Sequence, residues 1–432
     1  MISPTQFPPS LWFATAEPLD DFPTLNFQAS CDVVVVGAGF TGLRCALLLA
    51  NAGRKVIVID NKQPGWGASG RNGGAANPLL PFNSPDEVRK KLGQEAGNKL
   101  LHAAMNSANE LFDIIHSNEI DCDAVQPGWV RTAHYSGAAK VFREQCRQWQ
   151  EIGADIDLLD SEAIYEITGT RAFSMGALVK QGGNIHPLEY ARGLAKVVVK
   201  AGATIFGDSP ASHIQKHGEK WRLHTERGHI TADQVVLATN GYSDDLWPDL
   251  KRSIVPLISV QLATEKLSEG LSASILPQRH TLSDTRRVIY YGRKDAENRF
   301  LLGGHGFTEQ FGDHPDYERV KQEAVTLYPQ LKRVKWKYQW NGRLAITHDH
   351  LPHLHEPNDG ILTGLGFNGR GVAMSNVMGR VMAERILGKN PRDLDVPITP
   401  MRNYPLQRFY HLGLPLVVNW MRFRDNQELR KG

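Results

Sequence analysis

The sequence of 432 residues has few cysteines and no long apolar run. Its cysteines, Cys31, Cys45, Cys122 and Cys146, lack the C-x-x-C spacing of a redox motif or zinc site. We therefore expect no disulfide framework and a reducing, cytoplasmic location. The first residues lack the basic start and apolar stretch of a signal peptide, so none is expected. Nowhere do about 18 apolar residues follow one another, which excludes an ordinary membrane span.

A strong excess of charge is also missing, because 49 Lys and Arg residues balance 46 Asp and Glu residues to a net charge of +3. No dense stripe of Lys and Arg occurs, which argues against a nucleic-acid partner. The hydrophobic content of 41% is typical of a globular protein. The length exceeds that of a usual single domain and predicts two connected domains.

The strongest pattern present lies at the front of the chain. A β-branched run over 32–36 predicts a buried strand, and a G-x-G-x-x-G follows at 37–42. A helix is predicted from there to about Ala52, then a strand over 56–59 that ends on Asp60. This order is the dinucleotide-binding fingerprint, in which the helix start faces a pyrophosphate and the acid binds the ribose. The fingerprint leaves NAD and FAD open.

Two further glycine-rich stretches extend this interpretation. The first, 65–74, interleaves Ser69, Arg71 and Asn72 with glycines. We interpret it as a backbone wrap for a pyrophosphate and a flavin edge rather than as a flexible loop. The second, 364–371, opens a helix near the C-terminus whose dipole would stabilise the negative charge of a reduced flavin. The alternative for this stretch is a glycine turn before a packed helix.

The rest of the chain alternates between dinucleotide-binding patterns and the pattern of an antiparallel sheet. Residues 1–30 are predicted to be a surface lead-in, and 254–305 shows the alternation of an antiparallel sheet. The dinucleotide-binding pieces thus recur at the front, middle and end. Helices are predicted over 95–118, 138–151, 161–167 (capped by Ser161), 187–200, 316–328 and the end of 360–388, and strands over 128–134, 203–206, 212–231 (a hairpin), 233–239, 334–340 and the start of 360–388.

Seven segments carry a resemblance to a known family: PSLWFATA, VVVVGAGFTGL, GWGASGRNGG, GGNIHPLEYARGLA, VVLATNGY, NGRLAITHDHLPHL and GLGFNGRGV. The chain resembles the D-amino-acid-oxidase-like (DAO) family of FAD-dependent oxidoreductases, and most of all its γ-glutamylputrescine oxidoreductase branch. The resemblance implies an α/β fold in which a Rossmann-like FAD domain of the glutathione-reductase type accompanies a substrate domain with an antiparallel sheet. We place the FAD domain at 1–90, 187–250 and 341–395, the substrate domain at 91–186 and 251–340, and a C-terminal tail at 396–432.

The family reaction implied is oxidation of a C–N bond in an amine or amino acid, with hydride transfer to flavin N5, formation of an imine and passage of electrons to O₂ or a quinone. A γ-glutamylated amine or a cyclic secondary amino acid of the pipecolate or proline type is the implied substrate. Two alternatives remain, an NAD-linked dehydrogenase, which would lack the second and third glycine stretches, and a non-catalytic FAD-containing subunit.

The implied FAD contacts come from all three glycine stretches and the segments beside them. Some family members attach FAD through a His in the second glycine loop or a Cys near the sheet; this loop has no His and the second half of the chain no Cys, so non-covalent FAD is predicted. The cofactor-binding residues are Gly37, Gly39, Phe40, Thr41, Gly42, Asp60, Asn61, Lys62, Gly67, Ala68, Ser69, Arg71, Asn72, Gly73, Gly74, Ala211, Ala238, Thr239, Asn240, Gly241, Gly342, Gly366, Phe367, Asn368, Gly369, Arg370, Gly371 and Val372.

Four residues are candidates for the substrate side. Arg343 either clamps a substrate carboxylate or forms a structural ion pair. Tyr290 and Tyr291 lie on the strand expected to face the flavin, so one should point inward and the other outward. The side chain of His305 either reaches the cavity in front of the flavin or is an ordinary packed residue. No strong base is required, because a neutral amine can lose a hydride.

Two other features are weighed against simpler interpretations. The cluster His348, His350, His353 and His355 is interrupted by prolines and fits the family's Thr-x-Asp-x-x-Pro turn, so no metal site is predicted. The tail from Pro405 mixes Trp, Phe and Leu with Arg and Lys. It is either a terminal helix packed on the body or a peripheral membrane contact.

Overall fold

The computed structural model describes residues 9–305, 317–405 and 407–430. The helices are α1 (Leu11–Thr15), α2 (Phe40–Asn51), α3 (Pro85–Leu92), α4 (Gln94–Ser117), α5 (Ala139–Glu151), α6 (Ser161–Thr168), α7 (Pro187–Lys200), α8 (Glu269–Ser274), α9 (Tyr317–Leu327), α10 (Gly371–Ile386) and α11 (Tyr410–Leu429). The strands are β1 (Gln28–Val36), β2 (Val56–Ile59), β3 (Ala75–Ala76), β4 (Trp129–Thr132), β5 (Ile156–Asp160), β6 (Met175–Val179), β7 (Gly183–Asn184), β8 (Thr204–Phe206), β9 (Ala211–His217), β10 (Lys220–Thr225), β11 (His229–Leu237), β12 (Val255–Thr264), β13 (Thr281–Asp284), β14 (Tyr291–Lys294), β15 (Phe300–His305), β16 (Trp336–Ile346), β17 (His353–Asn358) and β18 (Ile361–Leu365).

The first sheet holds the predicted fingerprint at its centre. Its order is β17-β18-β11-β1-β2-β8, and β9 and β10 extend it from β11. The strands β18, β11, β1, β2 and β8 run parallel, as in a doubly wound α/β sheet. The β-branched residues at 33–36 are buried, which is why this stretch forms the middle of the sheet.

Helices α2 and α10 cross closely over this sheet. A Cβ at Gly379 of α10 would lie 2.6 Å from the carbonyl oxygen of Thr41 in α2, so the crossing requires glycine. Behind them, the Tyr190 hydroxyl of α7 donates to Asn376 Oδ1 of α10 at 2.6 Å. The starts of α2 and α10, which carry the first and third glycine motifs, are therefore held side by side.

The second sheet has the order β16-β12-β15-β14-β13-β4-β6-β5. Its pairs are antiparallel, as predicted for 254–305, except for the parallel pair of β13 and β4. The mixed α/β fold class is confirmed. β16 runs without a break across the predicted domain boundary at 340/341, so we propose the same division with this boundary moved to the end of β16 at Ile346.

The lead-in is one place where the structure differs from the prediction. Leu11 and Trp12 in α1 and Leu25 before β1 are fully buried, so 1–30 is not purely a surface segment. Trp12 packs edge-on against Trp340 of β16, with ring centroids 5.9 Å apart. A Pro-rich, acidic composition conceals these few apolar anchors.

Some helices and strands begin or end at residues other than those predicted, because side-chain contacts outweigh the sequence pattern there. Within 254–305, the strand predicted to carry Tyr290 and Tyr291 begins only at Tyr291, after a turn in which Arg286 pairs with Asp284. Asp160, not Ser161, caps α6, since its carboxylate accepts from the N–H groups of Glu162 and Ala163. The hairpin predicted over 212–231 is a three-stranded unit whose last strand, β11, continues to Leu237.

The tail forms α11, which is tied to the second sheet by charge. Arg287 donates to Asp425 and to Glu428 at 2.7 Å, and His134 contacts Glu428 at 3.1 Å. His134, Asp425 and Glu428 lie close enough to hold a metal ion, but the guanidinium of Arg287 already forms an ion pair with each carboxylate. Among the described residues, no helix combines the length and apolarity that a membrane span requires.

Replacing Gly42 by alanine tests the packing at the centre of the first sheet. An added Cβ would lie 1.9 Å from the carbonyl oxygen of Gly37, so α2 must move off β1. We expect the free energy of unfolding to fall by roughly 1–3 kcal/mol, measured by denaturant titration. Gly270→Ala in α8 is the control, because a Cβ there meets nothing within 4 Å and should leave stability unchanged or slightly raised. Equal stability of Gly42→Ala and the wild type would contradict this account.

Candidate active site

The first glycine turn joins β1 to α2 in a conformation that only glycine accommodates. Gly37 has a φ of +111°, and a Cβ there would lie 2.8 Å from the carbonyl oxygen of Ala238 at the end of β11. Gly39 precedes α2 as its N-cap and offers no side chain to cap the helix. The helix start therefore presents backbone N–H groups and the positive end of its dipole.

Asp60 links this turn to the segment after β2. Its carboxylate accepts from the N–H of Ala38 at 2.7 Å and from the N–H of Lys62 at 2.8 Å. Burial raises the pKa of Asp60 to about 6, although both N–H donors act in the opposite direction. Asn61 is exposed and Lys62 lies 5.8 Å from the Trp66 ring, so both border this acid.

The second glycine loop is a rigid structure, not a flexible one. The Asn72 side chain donates to the carbonyl oxygens of Ala68 and Ser69 and accepts from the N–H of Gly74, all within 3.0 Å. The Ser69 hydroxyl accepts from the N–H of Phe40 at 3.0 Å. The loop is thus bound directly to the start of α2.

Two tryptophans that the sequence interpretation missed hold this loop from outside. The indole N–H of Trp12 donates to the carbonyl oxygen of Asn72, and that of Trp340 donates to the carbonyl oxygen of Arg71, each at 2.7 Å. The Arg71 side chain stacks over Trp66, 3.9 Å from the ring centroid, and donates to its carbonyl oxygen. The Trp in PSLWFATA was the only signal in the sequence that pointed to Trp12, and the second tryptophan, Trp340, lies far along the chain in β16.

The third glycine turn connects β18 to α10. Gly366, Asn368 and Gly369 have positive φ angles of 79°, 49° and 89°. The N–H of Gly366 donates to Asn240 Oδ1 at 2.9 Å, which ties the turn to the end of β11. A Cβ at Gly369 would meet nothing within 4 Å, so this turn faces open space.

The three glycine segments converge, as the dinucleotide interpretation requires. Ser69 joins the second segment to the first, Ala238 and Asn240 join the first to the third, and α2 crosses α10 at Gly379. Open helix starts, a buried ribose acid and glycine turns without obstructing side chains suit a bound dinucleotide such as FAD. The residues present therefore fit the cofactor.

A cleft lies between these segments and the second sheet. It has about 900 Å³ of empty space, part of it open to solvent. Ser259, Ser283 and Phe82, which the sequence interpretation did not select, also line it. The predicted residues that line it are Ala68, Arg71, Asn72, Gly73, Tyr291, Gly342, Arg343, Asn368, Gly369, Arg370 and Val372.

Tyr291 faces this cleft and Tyr290 does not line it. The Tyr291 hydroxyl is hydrogen-bonded to Ser259 and Gln261, and burial raises the pKa of this phenol to about 12. It is therefore protonated at neutral pH. The guanidinium of Arg286 lies over the Tyr290 ring, 4.5 Å from the ring centroid. Tyr290 also borders a separate polar cavity.

Arg343 lies in β16 at the edge of the cleft. Its guanidinium is 5.6 Å from the ring centroid of Tyr242, and its neighbour Gly342 faces Arg71. His305 ends β15, where its backbone pairs with Ser259, and its side chain lies outside the described part of the chain. Its prediction as a site residue remains a prediction.

Other predicted residues support the cleft without lining it. Phe40 packs on Tyr190, and Gly67 lies against Tyr242. Ala211 begins β9 in the extension of the first sheet and does not line the cleft. The residues placed behind or beside the cleft are Gly37, Gly39, Thr41, Gly42, Ser69, Gly74, Ala238, Thr239, Asn240, Gly241, Gly366, Phe367 and Gly371.

Two members of the histidine cluster, His353 and His355, have ordinary structural partners. His353 contacts Thr399 and Asp349 at 2.9 Å each, and His355 contacts the carbonyl oxygen of Thr399 at 2.7 Å. The rings of His353 and His355 stack on each other. These contacts account for both side chains without a metal ion.

Comparison with known proteins adds independent findings. The sequence profile of the family described as FAD dependent oxidoreductase (DAO) matches residues 32–385. Gamma-glutamylputrescine oxidoreductase of Escherichia coli is 33% identical over 393 residues, which cover 90% of this chain and 91% of that protein. The probable oxidoreductase OrdL of Rhizobium meliloti is 29% identical, with coverage of 96% and 97%. Glycine oxidase of Geobacillus kaustophilus has a similar fold, with a TM-score of 0.72, 20% identity and coverage of 84% of this chain and 96% of that one.

The raised pKa of Asp60 predicts a pH dependence of FAD binding. Ribose hydroxyls donate to the ionised carboxylate, so a carboxylate that titrates near pH 6 must lose its proton before FAD binds. We expect the dissociation constant of FAD to rise by up to about tenfold per pH unit as the pH falls below 6. Fluorescence titration of FAD-free protein measures it. Asp60→Asn should bind FAD more weakly at pH 7 and lose this dependence, and a flat wild-type profile would contradict the assignment.

Proposed function

Because the chain belongs to the DAO family of FAD-dependent oxidoreductases, we propose that it oxidises a C–N bond of an amine or amino acid to an imine. FAD, when bound, supplies the acceptor for the hydride that leaves the carbon next to nitrogen. Nitrogen loses a proton, and water then hydrolyses the imine to a carbonyl compound and ammonia, or to a carbonyl group and an amine where the nitrogen carries a second carbon. Membership of this family argues against the NAD-linked dehydrogenase. The non-catalytic FAD-containing subunit is the alternative that reduction of the flavin by a substrate distinguishes.

The cleft between the glycine segments and the second sheet is the observation that carries this proposal. Its lining combines the neutral phenol of Tyr291 with cationic Arg343 and Arg370. None of its lining residues in the described part of the chain is Asp, Glu or His. Such a lining suits a reaction in which a neutral amine loses a hydride, because that step needs orientation more than an enzyme base.

We propose that Arg343 and Tyr291 orient the substrate. Arg343 has the fixed fork of N–H donors that matches a carboxylate, and it belongs to β16, whose Gly342 lies against Arg71 of the second glycine loop. Tyr291 is braced by Ser259 and Gln261, so its hydroxyl keeps one position. The substrate classes proposed are a γ-glutamylated amine, supported by the Escherichia coli relative, and a cyclic secondary amino acid.

We propose that FAD is held without a covalent bond. The loop over 65–74 contains neither His nor Cys. The four cysteines are buried, and burial raises the pKa of the Cys31 thiol to about 12 and that of Cys146 to about 11, so both are protonated and unreactive.

We also propose that α11 makes a peripheral membrane contact, which would place a quinone within reach as electron acceptor beside O₂. One face of α11 is tied to the body by Asp425 and Glu428. The other face exposes large apolar side chains in helical succession, with Leu416 73% and Trp420 55% exposed. Arg424 lies beside Trp420, and such a mixture of apolar and basic side chains suits an anionic lipid surface.

Anaerobic reduction of the flavin by a substrate panel tests the main proposal. The panel contains a γ-glutamylated diamine, proline, pipecolate and glycine, and at least one should bleach the flavin absorbance. For an amino acid whose carboxylate adjoins the oxidised carbon, Arg343→Met should raise KM by about 10- to 100-fold, because a charge-assisted bidentate contact is lost. Failure of every amine and amino acid to bleach the flavin would contradict the proposal.

Sedimentation with vesicles of phosphatidylcholine and phosphatidylglycerol tests the membrane contact. We expect the wild type to sediment with the vesicles and Leu416→Glu/Trp420→Glu to remain in the supernatant, because charge on the apolar face prevents insertion. The matched control is Asn419→Glu, a polar and exposed position of the same helix. Wild-type protein that stays in the supernatant, or forms dimers that the double variant disperses, would show that lipid is not the partner.

A further inference from the structure

Two arginines beside the cleft lack the acidic partners that other shielded arginines have. Arg286 pairs with Asp284 and Glu323, and Arg299 pairs with Asp295. Arg131 and Arg370 form no ion pair with any carboxylate among the described residues. Since an unpaired cation that is shielded from water is costly, this exception calls for a physical reason.

Arg370 lies at the start of α10 and contacts the second sheet, which forms one wall of the cleft. Its guanidinium lies over the ring of Trp129 in β4, 4.6 Å from the centroid, and its Nε is buried without a hydrogen-bond partner in the described structure. Trp129 is fully buried and fixed, because its indole N–H donates to the Ser283 hydroxyl at 2.9 Å. Both Ser283 and Arg370 line the cleft. Stacking leaves the edge of the guanidinium, with its N–H donors, available to a ligand.

Arg131 adds a second positive charge behind this wall. It lies two residues from Trp129 in β4 and so points to the same face of the strand. The neighbours of Arg131 are neutral. Its guanidinium lies 5.5 Å from the centroid of the Phe142 ring and donates a long hydrogen bond of 3.3 Å to Gln145. The third neighbour is Cys146, and burial raises the pKa of its thiol to about 11. Burial, and to a smaller extent the charge of Arg131, lower the pKa of Arg370 to about 9.

We propose that Arg370, assisted by Arg131, binds a carboxylate of the substrate that lies away from the oxidised C–N bond. This inference rests on the proposed amine oxidation and narrows its substrate class. Arg370 comes from the third glycine turn at the start of α10 and packs against Trp129 of β4, whereas Arg343 belongs to β16, so the cleft offers cations from two different elements. The substrate is then an amine that carries a carboxylate at the far end of a chain, as a γ-glutamylated amine does and a free diamine does not.

Binding of glutarate to the oxidised holoenzyme tests the subsite without turnover. Glutarate is the probe because it presents a carboxylate on a short aliphatic chain, and calorimetry measures its affinity. Arg370→Met should weaken binding by about tenfold or more, Arg370→Lys less, and Arg131→Met by a few-fold. Arg171→Met is the matched control, since Arg171 also stacks on an aromatic ring, Tyr165, but is exposed and paired with Glu162.

The outcomes separate this subsite from the alternatives. Unchanged glutarate affinity in Arg370→Met, or a loss confined to Arg343→Met, would overturn it. A changed flavin spectrum or midpoint potential in Arg370→Met with unchanged glutarate affinity would place Arg370 at the cofactor and also overturn it. FAD content and thermal unfolding of each variant show whether it is folded, and Arg370→Lys preserves the charge if the Met variant fails to fold.

Anaerobic reduction by a matched pair of amines then tests the link to the reaction. With a γ-glutamylated diamine, Arg370→Met should raise KM by about tenfold or more and leave the limiting rate of flavin reduction nearly unchanged. With the free diamine, the loss of kcat/KM caused by Arg370→Met should be at least about tenfold smaller than the loss with the γ-glutamylated diamine. If no amine reduces the flavin while glutarate binding still depends on Arg370, the proposed reaction fails and the anion subsite remains. Equal effects of the variant on both amines would overturn the assignment of the carboxylate.

Discussion

The close approach of α2 to β1 at Gly42 is the constraint on which the rest of the site depends. With no side chain between Gly42 and the carbonyl of Gly37, the helix start lies directly above the end of the strand. Ser69 can then reach the N–H of Phe40, and Gly379 of α10 can reach Thr41. A shift of α2 by the width of one methyl group would therefore disturb all three glycine segments together.

The two sheets contribute different kinds of chemistry to the cleft. The parallel sheet supplies mostly backbone, in turns whose N–H groups and dipoles suit a dinucleotide with little regard to neighbouring side chains. The second sheet supplies side chains such as Tyr291, Ser283 and Ser259. β16 joins the two, because Trp340 holds the second glycine loop while Arg343 borders the cleft. Substrate preference can thus change in one sheet while the cofactor cradle in the other is preserved.

The features that could be predicted from sequence are those fixed by nearby residues. The strand, glycine turn, helix and acid between 32 and 60 lie within one short segment, so local sterics and burial determine them. Alternation predicted that Tyr290 and Tyr291 would diverge, but it could not say which faces the cleft. That choice depends on the turn made when Arg286 pairs with Asp284. The FAD family was recognisable because each of its motifs is a short continuous segment, and the motifs together extend over most of the chain.

Features that depend on distant partners could not be predicted in this way. Nothing near Trp12 indicates that its N–H reaches Asn72, sixty residues away, or that its ring meets Trp340. Arg370 was selected as part of a glycine motif, yet its position over Trp129 follows from the packing of two sheets. Whether a cation is paired is a property of the folded molecule, so composition and spacing carry no information about it.

The two tryptophans that hold the second glycine loop also bear on how the protein is made. Trp12 leaves the ribosome early, but Trp340 and the turn at 366–371 emerge only when most of the chain has been synthesised. A nascent chain that ends before β16 contains the complete G-x-G-x-x-G and Asp60, but it lacks one support of the loop and the whole third turn. The complete cradle for the flavin therefore forms only after β16 and the third turn have emerged, late in the synthesis of the chain.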